Sequence, residues 1–107
     1  MAGENVKDVN GENFDAVVGK GVAVLDFWAP WCGPCKMQSP IFETTAGLFT
    51  GKAVFAKVNV DDAPDVAAKF GVRSIPTIVV LKDGATTETK VGLTRASELS
   101  DMVRKYL

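Results

Sequence analysis

The chain has 107 residues, enough for one domain over 1–107 and short for two. Its net charge of −1, with no run of like charges, argues against a nucleic-acid or membrane-surface partner held by bulk electrostatics. It has no histidine, so it cannot by itself build a Cys–His nucleophile, a Ser–His–Asp triad or a His-ligated metal site.

The opening Met1-Ala2-Gly3-Glu4-Asn5 runs into Val6-Lys7-Asp8 with no apolar leader. The apolar stretches are strand-length, far below the ~20 residues of a membrane span. The cytoplasm is the expected compartment, or an organelle reached by a segment already removed. A short strand is expected around Val6 to Val9, then a short helix from Asn13 to Val18 closed by Gly19 and Gly21. Val22 to Trp28 is apolar on both faces except at Asp26, the pattern of a central, doubly covered strand. A helix follows from near Cys32 to about Leu48, with a kink expected at Pro40. Ala53 to Val60 reads as a buried strand with Val54, Ala56, Val58 and Val60 on one face. Pro64 opens a third helix, Asp62 stands as a cap, and Phe70-Gly71 ends it. Thr77 to Lys82 and Thr86 to Val91 form a hairpin about an Asp83-Gly84 turn. The last helix carries Leu99, Met102, Val103 and Tyr106 on one face, with Thr94 as its cap. This order predicts an α/β fold: a mixed sheet, parallel through crossover helices and antiparallel at the hairpin, with helices on both faces.

The only cysteines are Cys32 and Cys35. At this spacing one helical turn brings their β-carbons together, but so small a loop gives little chain-entropy stabilisation. A reversible disulfide fits better than a structural one. Cys32 also follows a buried strand and opens a helix, where unpaired amides and the positive dipole end stabilise a thiolate. Pro34 is tolerated in the first helical turn. Gly33 removes bulk beside the sulfur, and Trp31 offers an apolar surface next to it. Three rivals stand beside this reading: a metal site within one chain, a metal site shared between two chains, and an inert reduced pair or structural bridge. Metal centres want about four ligands, and this chain offers one cysteine pair. A binding module with incidental redox activity is a further alternative. The bare C-x-x-C is a weak signal; the strand before it, the helix after it and Gly-Pro within it strengthen it.

Trp31-Cys32-Gly33-Pro34-Cys35 resembles the signature of the thioredoxin family. So, in order, do Asp26-Phe27-Trp28-Ala29, Lys36-Met37 with Pro40, Lys57-Val58-Asn59-Val60-Asp61, Gly71-Val72-Arg73-Ser74-Ile75-Pro76-Thr77 and Lys90-Val91-Gly92. The resemblance covers nearly the whole chain. It departs at Gln38-Ser39, where the family often has an apolar residue and Ala. It implies a central mixed five-stranded sheet flanked by four helices on both faces. The activity implied is reduction of disulfides in client proteins through Cys32 as nucleophile and Cys35 as resolving thiol. It further implies recycling by a thioredoxin reductase, a flavoprotein using a nicotinamide nucleotide (NADPH), with no metal or organic cofactor held by this chain. A monomer is expected.

Asp26 shares a strand face with Val24 and Trp28, where desolvation should raise its pKa. The resemblance makes it proton acceptor and donor for Cys35, directly or through a water. A buried carboxyl satisfied by backbone, or one turned to solvent, is the bland alternative. Lys57 either pairs with Asp26 and modulates it or is a snorkelling strand lysine. The resemblance implies a cis Ile75–Pro76 bond facing the cysteines and offering the Ile75 backbone to an extended substrate; otherwise Pro76 simply begins a strand. Trp31, Gly33, Pro34, Ile75, Val91, Gly92 and Leu93 form the candidate apolar contact rim, with Gly92 permitting close backbone approach. Trp28 and Phe14, Phe42, Phe49, Phe55 and Phe70 read as core or near-core.

Overall fold

Nine elements form among residues 4–107, the part of the chain that the computed structural model describes; Met1 to Gly3 of the opening segment lie outside it. In chain order they are β1 (Val6–Asp8), α1 (Phe14–Val18), β2 (Val22–Trp28), α2 (Gly33–Leu48), β3 (Val54–Asn59), α3 (Pro64–Lys69), β4 (Thr77–Lys82), β5 (Ala85–Val91) and α4 (Ala96–Arg104). The strands make one sheet in the order β1-β3-β2-β4-β5. β3 runs parallel to both β1 and β2, while β4 is antiparallel to β2 and β5. The apolar β2 accordingly lies in the middle, between β3 and β4.

Strand alternation divides the core in two. Ala23, Leu25 and Phe27 of β2, with Ala56 and Val58 of β3, pack against Phe14 and Val18 of α1 and Val66 and Ala67 of α3. On the other face Val24, Phe55, Ile78 and Val80 meet Phe42 and Ala46 of α2 and Leu99, Met102 and Val103 of α4. Asp26 is on this second face by alternation, between Val24 and Trp28. The phenylalanines expected in the core are buried, apart from Phe70, which is half-buried against the first cluster.

Three local details depart from the sequence reading. Asp62 does not cap α3: the helix opens at Ala63 with no side-chain cap. The Ala63 amide bonds to the Asn59 carbonyl at 2.9 Å, so the entry turn closes through backbone, and Pro64 brings no donor needing a cap. Thr94 does not cap α4 either; Arg95 occupies the cap position in an extended conformation, without a side-chain cap. Thr94 is instead fully buried, its backbone held by Gln38. Tyr106 lies just beyond α4 but still packs on the second cluster. The long helix α2 carries Pro40 in its interior and runs as one helix from Gly33 to Leu48.

Candidate active site

The central strand β2 ends at Trp28, and a tight turn follows in which the Cys32 amide donates to the Ala29 carbonyl at 3.1 Å. Cys32 is extended (φ −87°, ψ 113°) and caps α2, placing Gly33 and Pro34 in the first turn. Cys32 and Cys35 are joined as a disulfide with Cα atoms 5.3 Å apart. The Cys35 backbone N–H points at Cys32 Sγ from 3.2 Å. The two sulfurs are thus inequivalent: negative charge developing on Cys32 meets this amide at the positive helix end. Both cysteines are buried against Ala29, with Trp28, Val60 and Ile75 packed around them. The Ile75 carbonyl oxygen lies 3.9 Å from Cys32 Sγ.

Asp26 is completely buried, and neither carboxyl oxygen has a hydrogen-bond partner among the described residues. Burial drives its pKa up from 3.8 to about 7, partly opposed by attraction to the Lys57 ammonium. Lys57 is its register neighbour on β3 and is itself buried. The ammonium, however, donates to Ser39 Oγ at 2.6 Å and lies 4.7 Å above the Trp28 ring. Ser39 in turn donates to Glu43 at 3.3 Å. The Asp26–Lys57 relation is therefore an attraction across adjacent strands with no direct hydrogen bond. A cleft of about 210 Å³ lined by Cys35, Ser39, Lys57 and Trp28 opens beside this group.

The rim residues come from three segments. Trp31 is 69% exposed, yet its indole N–H donates to Asp61 at 3.0 Å, which fixes the ring beside the cysteines. Gly33 and Pro34 are exposed, and a β-carbon on Gly33 would meet nothing within 4 Å. The Ile75–Pro76 bond is cis; Ile75 is half-buried and Pro76 buried. The Gly92 amide donates to the Pro76 carbonyl at 2.9 Å, tying the end of β5 to this loop. Val91 and Leu93 flank Gly92 with exposed side chains. Gly92 has φ +93°, a conformation costly for any residue with a β-carbon.

A vicinal cysteine pair at a helix N-terminus, next to a strand carrying a buried carboxyl, defines a thiol–disulfide oxidoreductase site. The thioredoxin family model matches residues 5–105. A thioredoxin of Staphylococcus saprophyticus is 46% identical over 99 residues, spanning 92% of this chain and 95% of its own. That of Bacillus subtilis is 45% identical over 96 residues, covering 90% and 92%. A solved mutant thioredoxin from Halobacterium salinarum matches with a TM-score of 0.88 at 37% identity, over 99% of this chain and 95% of that one. The chain belongs to the thioredoxin family and is a protein-disulfide oxidoreductase working by dithiol–disulfide exchange through Cys32 and Cys35. Family members act on disulfide substrates and are reduced by thioredoxin reductase. No helix among the described residues is long and apolar enough to cross a membrane.

Sequence reasoning missed Asp61 as the partner of Trp31 and gave no contacts to Gln38 and Ser39. The only signal for the latter pair was their polarity at positions where the family is often apolar or Ala.

Proposed function

We propose that the chain reduces disulfides of client proteins in the cytoplasm, as a monomer and as one domain over 1–107, with each site residue in a distinct role. The observation that carries these roles is the Cys35 N–H directed at Cys32 Sγ, with the unpartnered Asp26 carboxyl on the neighbouring strand. In the reduced form the Cys32 thiolate attacks one sulfur of a client disulfide. The client's S–S bond breaks, its other sulfur leaves as thiolate, and a mixed disulfide joins Cys32 to the client. The Cys35 thiol gives its proton to the Asp26 carboxylate, and the Cys35 thiolate attacks Cys32 Sγ. The second client sulfur leaves as thiolate and protons from Asp26 and solvent complete the client dithiol. Two electrons have passed to the client, and the Cys32–Cys35 disulfide remains.

The cleft lined by Cys35, Ser39 and Lys57 is roomy enough for water, so solvent can reach Cys35 from that side. Lys57 tunes Asp26 through its charge. Trp31, Gly33, Pro34, Val91, Gly92 and Leu93 form the apolar edge for the client, and Ile75 with Pro76 offers main-chain contacts to an extended segment. Recycling falls to a flavoprotein reductase that draws on NADPH; neither nucleic acid nor a membrane is a partner, and no metal or organic cofactor is required. Cys35→Ser should accumulate a covalent Cys32–client complex on non-reducing electrophoresis. Full turnover by that variant without a trapped complex would remove Cys35 from the resolving role.

A further inference from the structure

Gln38 lies on α2, three residues beyond Cys35, with a fully buried side chain. Its amide makes two hydrogen bonds to the backbone of a single residue 56 positions away. The Nε2 group donates to the Thr94 carbonyl at 3.0 Å, and Oε1 accepts from the Thr94 N–H at 2.8 Å. Thr94 is itself fully buried, so neither of its backbone groups can turn to water when the amide is removed.

Thr94 belongs to the short connection between β5 and α4, which carries one edge of the rim. That connection is fastened twice. The Gly92 amide holds it to the Pro76 carbonyl at 2.9 Å, and the Thr94 backbone holds it to Gln38. Leu93 lies between the two fastenings with its side chain 39% exposed. One helix therefore carries both the redox cysteine pair and the clamp on the loop that presents Leu93. A two-point amide clip fixes orientation as well as distance, which one hydrogen bond or an apolar contact does not.

We propose that Gln38 is a positioning residue that sets the Val91–Leu93 edge in register with Cys32 Sγ, and so tunes reduction of protein disulfides specifically. This rests on the reading of Leu93 as part of the client-binding rim. A small disulfide reaches Cys32 without using that edge. Loss of the clip therefore penalises a protein substrate and spares a small one.

The test compares Gln38→Met, which keeps length and loses both bonds, with Gln38→Glu, which keeps an acceptor for the Thr94 N–H. Each is assayed in reduced form against insulin and against a small aromatic disulfide, with thermal unfolding followed in parallel. Gln38→Met is expected to slow insulin reduction about three- to tenfold, the order of one net hydrogen bond, at an unchanged small-disulfide rate. Gln38→Glu is expected to fall between Gln38→Met and the native chain. Amide exchange at Thr94 and Leu93 should accelerate in Gln38→Met. Equal slowing of both substrates, or of neither, overturns the proposal, as does unaltered exchange at Thr94. Leu93→Ala separates the two readings. If it slows insulin reduction and Gln38→Met does not, the rim stands and the clip falls. If Leu93→Ala leaves insulin reduction unchanged, both fall.

Discussion

Asp26 shows how one buried side chain couples chemistry to stability. The folded state holds its carboxyl proton up to about pH 7, whereas the unfolded chain releases it near 3.8. Between those values the folded state binds the extra proton, so stability falls as pH rises through the window and levels off above it. Below the window the contribution is fully present. Asp26→Asn removes the titration, so the variant should gain stability over the native chain as pH rises. The gain should reach up to about 3 kcal/mol between about pH 5 and about pH 8, at 1.36 kcal/mol per pK unit. Urea unfolding at the two pH values measures it, and a gap that does not widen would contradict a carboxyl desolvated to this degree. The sequence disclosed this residue because a lone Asp in Val22–Trp28 has no apolar explanation. It did not disclose where Lys57 points. That depends on Ser39, 18 residues away on α2, whose hydroxyl receives the ammonium. Gln38 escaped for the same reason, since its partner Thr94 is 56 positions distant and meets it only when α2 and α4 share one sheet face.

Elements whose signals are local were legible. Asp83 and Gly84 both have positive φ, 51° and 83°, as a two-residue hairpin turn with the right-handed twist of its strands requires. The Asp83 carboxylate also accepts from the Gly21 N–H at 2.8 Å, while the Asp83 amide donates to the Gly21 carbonyl at 2.9 Å, so the turn is docked on the start of β2. A β-carbon on Gly84 would approach the Gly19 carbonyl oxygen no closer than 3.5 Å, an ordinary contact. The cost of Gly84→Ala is therefore conformational, about 1 kcal/mol. It should appear as a lower urea midpoint at constant slope; an unchanged midpoint would mean that the turn relaxes to another type. Helix caps were read less well, since Asp62 and Thr94 have suitable side chains for capping at both sites. At α3 backbone closure from Asn59 competed successfully, and at α4 the clip from Gln38 did. Capping preference is a contest among partners, and the sequence names only one contestant.

For the whole molecule, an oxidoreductase of this type must keep one fold in two covalent states. The sheet packs on both faces: α1 and α3 complete one apolar cluster, α2 and α4 the other. Neither cluster includes a cysteine; the pair belongs to a small third group at the end of β2. Cutting the disulfide therefore opens no gap in either main cluster. Its entropic contribution is also limited, because Cys32 and Cys35 are only three positions apart. A loop that short contributes about 2 kcal/mol, against about 4.7 for a hundred-residue loop. Reduction also leaves the Cys35 amide beside Cys32 Sγ, where it stabilises the thiolate and offsets part of that loss. The reduced protein should accordingly unfold cooperatively, at most about 2 kcal/mol less stable than the oxidised form and with the same urea slope. Paired urea titrations with and without excess dithiol measure both quantities. A lower slope on reduction would show that part of the sheet opens with the disulfide, and the exchange site would then be a folding staple as well as a redox couple.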